Sequence, residues 1–129
     1  MSKNTQGLIF GGLVRSNHPL AILKNKINLT KIKNECTYEE STKGRKGLGL
    51  EFHLAAEILK YVYKLSDSQL TQNISDIPAY QYFCGFSSFD PNRIIHSTTF
   101  VKFRKRFGES NFDILFKEIV MINDIKVME

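Results

Sequence analysis

The stretch that decides the fold class is Leu50-Glu51-Phe52-His53-Leu54-Ala55-Ala56-Glu57-Ile58-Leu59-Lys60-Tyr61-Val62-Tyr63-Lys64. It holds no Gly or Pro, and Leu54, Ile58, Tyr61 and Val62, continued by Leu65, recur at three- and four-residue spacing. That period places them on one face of a helix. Glu51, Glu57, Lys60 and Lys64 fall largely on the other side, and Glu57 stands one turn from Lys60 and Tyr61.

The helical signals continue downstream. Ser66-Asp67-Ser68-Gln69 has the spacing of a capping box with an acid in the first turn. It opens a short helix to about Ser75, with Leu70 and Ile74 facing inward. Pro78 suits the first turn of another helix carrying Tyr80, Tyr82, Phe83 and Cys84, stopped by Gly85. Residues 86–96 form a loop with Asp90-Pro91-Asn92 as its turn. Ser97 is expected to cap a helix to Phe107, with Gly108 as its terminator. Ser110, with Asp113 three residues on, is expected to cap a last helix bearing Phe112, Leu115, Phe116, Ile119, Val120 and Ile122.

Upstream, Ser41 to Gly49 packs three Gly and three cations into nine residues, a flexible basic loop. Before it, Asn28 caps a helix with Leu29, Ile32 and Cys36 as its inner stripe. His18-Pro19 opens the helix of Leu20, Leu23 and Ile27. Met1 to Asn17 shows no apolar period and reads as a loosely held arm. No strand alternation is visible. The expected architecture is all-α: six or seven short helices over 18–129 behind a flexible arm 1–17, with a helix-turn-helix-like unit.

A chain of 129 residues, 42% hydrophobic and 24% charged, is large enough for one domain with a real core. No apolar run approaches the roughly 20 residues of a membrane helix. The first ten residues lack the basic and apolar regions of a secretion signal. Cys36 and Cys84 are distant and read as reduced thiols. His18, His53 and His96 have no metal-ligand spacing, and Gly44 to Gly49 lacks the Lys-Ser/Thr that closes a phosphate loop. Asp67 and Asp76 look like capping or surface groups, and Asp90 lies in a turn. No nucleophile–base pair can be argued from spacing. No cofactor is expected.

Net charge is +5, and its placement says more than its size. Arg93 to Arg106 carries five cations and no acid, while 66–92 and 107–129 are both net acidic. So focused a patch suits a polyanion. Within Ser97 to Phe107, Phe100, Phe103 and Phe107 share one face, which must be buried. Thr98, Val101, Lys102 and Lys105 face the other way, flanked by Thr99 and Arg106, with Arg104 nearer the aromatic edge. Hydroxyls at a helix N-terminus and cations further along have the layout of a recognition helix in the DNA major groove. A plain solvated surface helix shares the amphipathic pattern. The candidate DNA contacts are Ser97, Thr98, Thr99, Lys102, Arg104, Lys105 and Arg106, with Arg93, Arg45 and Lys46 in the adjoining basic loops.

Several stretches, in order, resemble one family. They are His18-Pro19-Leu20 with Ile27-Asn28-Leu29, Gly44-Arg45-Lys46-Gly47, Ile58-Leu59-Lys60 with Leu65-Ser66-Asp67, Asp76 to Gly85 around Gln81-Tyr82-Phe83-Cys84-Gly85, and Ser97 to Arg106 around Phe103-Arg104-Lys105-Arg106. They are similar to the bacterial insertion-sequence transposases of the DDE class with an InsH-type N-terminal domain. Lys46 stands where the family's loop has Pro, and Asn28-Leu29 where it has Asp-Trp. The resemblance implies a domain that binds double-stranded DNA at the element's terminal repeats, in a bacterial cytoplasm at the nucleoid. It also implies that the metal-binding carboxylates lie in a ribonuclease H-like domain beyond this stretch. No residue here matches a catalytic acid, so a divalent metal is expected only there, and the chain is expected to be catalytically incomplete alone. The apolar last helix leaves a protein-interaction alternative, pairing with full-length transposase or a second copy through 112–127, or a decayed remnant.

Overall fold

The computed structural model describes residues 7–38 and 48–122. It is mostly helical, as the periodicity predicts. The helices are α1 (Pro19–Lys26), α2 (Leu29–Glu35), α3 (Leu50–Tyr63), α4 (Asp67–Asp76), α5 (Pro78–Phe83), α6 (Ser97–Phe107) and α7 (Glu109–Val120). No described helix is long and apolar enough to cross a membrane.

The middle of the core is α3. Every residue from Phe52 to Leu59 is buried, Glu57 included. A helix covered nearly all round has no polar side to speak of. The expected solvent position of Glu57 is therefore wrong: its side chain is 4% exposed and faces α6. Tyr61, expected inside, is 46% exposed and lies against Phe116 instead. The helix ends with Lys64 in the left-handed conformation, and the Leu65 N–H closes on the Lys60 carbonyl.

Around α3 pack α2 and α4; α5 lies on α4 and α1, α6 on α4, and α7 on α2. The capping box of α4 is present in both halves: the Gln69 N–H donates to Ser66 Oγ at 3.1 Å, and the Ser66 N–H donates to Gln69 Oε1 at 2.9 Å. Ser66→Ala should cost about 1 kcal/mol, read as a lower denaturant midpoint at unchanged slope; an unmoved midpoint would refute the cap's contribution.

Three local expectations are corrected. Residues of the supposed arm form a small antiparallel hairpin, β1 (Leu8–Ile9) with β2 (Val14–Arg15), and Val14 is 2% exposed. Two-residue strands are too short to show alternation, and Gly11 and Gly12 take the positive φ of the turn. At α6 the N-cap is His96, and Ser97 is already helical without a capping bond. At α7 the cap is Gly108, not Ser110, and no side chain closes a box there. Asn111, 3% exposed, fastens that end instead: its amide donates to the Phe107 carbonyl at 2.7 Å and to the Thr37 carbonyl at 3.1 Å, and accepts from the Thr37 N–H. His18 caps α1, its Nδ1 accepting from the Leu20 N–H at 3.0 Å.

Candidate nucleic-acid interface

The aromatic face of α6 is buried as its spacing requires. Phe100 and Phe103 are fully covered and Phe107 is 2% exposed. Phe103 stacks flat on His53 of α3, with ring centroids 4.3 Å apart, and on Phe107 at 4.8 Å. Phe100 stacks on Phe52 at 6.1 Å. Tyr38, just past α2, meets both Phe103 and Phe107 edge-on. Edge-to-face and offset contacts of this kind add to the burial itself. They fix the rotation of α6 about its axis.

That rotation turns Ser97, Thr98, Val101, Lys102, Lys105 and Arg106 to solvent, with Thr99 half-buried. The Arg106 guanidinium lies 5.9 Å from the Tyr38 ring centroid, a distance at which the ring face still attracts a cation. The result is a rigid helix whose outer face carries hydroxyls at its N-terminal turn and cations beyond.

Two of the expected contacts have other employment. Arg104 is a structural residue. Its Nε bonds Glu57 Oε2 of α3 at 3.1 Å, its Nη1 bonds Asp67 Oδ2 of α4 at 3.1 Å, and its Nη2 is paired with Asp67 Oδ1. Lys60 Nζ stands 3.7 Å from Asp67 Oδ1 and completes the group. Burial pushes the Glu57 carboxyl above its ordinary range, with Arg104 pulling the other way. Hydrogen bonds from Arg104 hold Asp67 below its ordinary value. With its donors taken by two carboxylates, Arg104 joins three helices and offers little to an outside anion. Arg93 is held as well: its Nε donates to Gln81 Oε1 at 3.0 Å, and its guanidinium lies 3.9 Å over the Phe86 ring. Arg45 and Lys46 lie outside the described residues.

Glu57, Asp67 and Gln81 are the members that sequence reasoning missed. The apolar density of 50–62 is the signal that Glu57 needed a partner, because a carboxylate enclosed by core must be paired. Among the described residues no three His, Cys, Asp or Glu are grouped to hold a metal ion. Cys84 is a core thiol, pushed up to about 12 by burial.

Residues 9–106 match the family described as Transposase domain (DUF772). A stretch of 77 residues, 60% of this chain, is 31% identical to the "Uncharacterized protein ORF8 in nfe locus" of Rhizobium meliloti. That stretch spans 37% of the length of the relative. No solved structure matches the chain. With the match running from the hairpin to the end of the cationic helix, the chain belongs to the transposase-domain family.

Proposed function

We propose that this domain binds duplex DNA, with α6 entering the major groove and α4, packed against it, completing a helix-turn-helix-like unit. Within a DDE-class insertion-sequence transposase of the InsH type it would hold the terminal repeats in the bacterial nucleoid. Phosphoryl transfer, and the divalent metal it needs, would belong to a separate catalytic domain, so that this stretch does no strand transfer alone. The observation that carries the reading is the outer face of α6. Thr98, Lys102, Lys105 and Arg106 are presented on a helix that buried aromatics hold from behind. Membership of a transposase family supports the same reading.

Binding of this kind releases counterions. With about four phosphate contacts, affinity should fall about 150-fold between roughly 50 and 200 mM salt. Lys102→Ala combined with Lys105→Ala should make the log–log slope shallower by about two. A gel-shift or anisotropy titration checks both. Salt-independent binding, or a double variant indistinguishable from wild type, would overturn the reading.

A second reading rests on α7. Val120 and Met121 are each 68% exposed at its end, and half-buried Phe116 stacks on Phe112 and lies tilted against Tyr61 beside them. Exposed apolar side chains so placed suit association with a second copy or with intact transposase through 112–127, of which 123–127 lie outside the described residues. Sedimentation showing only monomer, alone and with full-length transposase, would count against it.

A further inference from the structure

The loop from Phe86 to His96 is fixed more firmly than a connection requires. Gln81, fully buried, lies beneath it and uses its whole amide. The amide nitrogen donates to the Ile74 and Asp90 carbonyls at 2.9 Å each. The amide oxygen accepts from the Asp90 N–H and from Arg93 Nε at 3.0 Å each. Arg93 also donates to the Ser88 carbonyl at 3.3 Å, and the Asp90 carboxylate accepts from the Asn92 N–H at 2.9 Å. Ile95, 8% exposed, pins the far side to the core.

Between the anchored Arg93 and the anchored Ile95 stands Ile94. It is 72% exposed, the most exposed large apolar side chain among the described residues. Because its neighbours are held on both sides, the fold itself sets this exposure. Exposed Asp90 closes the turn four residues before Ile94, and the exposed cations, Lys102, Lys105 and Arg106, follow on the outer face of α6, with no Asp or Glu from Pro91 to Gly108. Three peptide steps separate Ile94 from Ser97, so their Cα atoms are at most about 11 Å apart. That spacing is short enough for a duplex seated on the N-terminal turn of α6 to meet this side chain. A protein partner fits less well, because the centre of a protein interface wants a contiguous apolar patch, and among the described residues from Asp90 to Gly108 the exposed large apolar side chains are Ile94 and Val101 alone, set among polar and charged ones.

We infer that Ile94 is an apolar wedge that enters the minor groove beside the major-groove segment taken by α6 and parts a base step there. The inference rests on the DNA-binding reading of α6. Apolar side chains inserted in this way unstack a step and bend the duplex. Pyrimidine–purine steps part most easily, so the site carries a preference for such a step at a fixed distance from the segment read by α6.

The test uses short duplexes enriched by the wild-type chain from a randomised pool, with 2-aminopurine placed at each successive step. Binding should raise its fluorescence at one step. Ile94→Ser should abolish that rise and weaken binding about tenfold, the scale of one lost base contact. The salt slope should stay unchanged, since no charge is removed, and the thermal melt should match the wild type. Salt-dependent binding with no unstacked step, or with Ile94→Ser at wild-type affinity, overturns the wedge and leaves the α6 reading standing. Failure to enrich any duplex, or binding that ignores salt, overturns the α6 reading and the wedge with it.

Discussion

Phe103→Ala is expected to cost about 4 kcal/mol of stability, within the roughly 3–5 kcal/mol typical of Phe→Ala in a packed core. The ring is fully buried and touches four other rings besides its own core neighbours: His53 at 4.3 Å, Phe107 at 4.8 Å, Tyr38 at 5.6 Å and Phe112 at 6.4 Å between centroids. These belong to α3, to α6 itself, to the segment after α2 and to α7. Collapse around the missing ring would have to move several helices at once, so the cavity stays largely open. Equilibrium denaturation measures the loss. A cost below about 1 kcal/mol would mean that α6 is only loosely attached.

Arg104→Ala is expected to cost about 3 kcal/mol, the low end of the roughly 3–5 kcal/mol for breaking a buried pair, because the Arg104 side chain is 27% exposed. The deficit should depend on pH. Without the cation, Glu57, already pushed up by burial, rises further. A carboxyl whose folded value lies above its unfolded one contributes most below the unfolded value and loses that contribution as pH rises through the folded one. Asp67 is the opposite case: Arg104 depresses it, so the wild type gains stability above the unfolded value that the variant lacks. Both effects make the deficit largest near neutrality; the Glu57 part fades toward about pH 4, and the Asp67 part fades only below that, as pH falls through its depressed folded value. Glu57→Gln should relieve part of it in the double variant. Lys105→Ala, on the outer face, should change stability by less than about 0.5 kcal/mol. Equal costs for the two substitutions would show that Arg104 is not the joint between helices.

The contrast between these neighbours marks what the sequence made legible. Local signals were enough for α3, for the capping box of α4, for the Pro78 start of α5 and for the buried Phe row of α6. Each rests on residues within a few positions of one another. The role of Arg104 was not legible that way, because Glu57 and Asp67 lie 47 and 37 positions away. The helical wheel sets Arg104 nearer the aromatic edge than Lys105, but only tertiary packing supplies the two carboxylates that it joins. Gln81 was hidden for the same reason, since its partners come from α4 and from a loop. The shifted caps at His96 and Gly108 show how weak a lone serine is as a boundary signal.

Gly108, with φ of 83°, is the one residue between α6 and α7. The Asn111 amide clamps across it to the Phe107 carbonyl. Such a joint behaves as a stiff elbow, and α7 as a lever arm rigidly geared to α6. The direction of the cationic face is thereby tied to that of α7. Inserting one residue at the elbow would lengthen the joint that the Asn111 amide spans and break that clamp, uncoupling the two while leaving each helix intact.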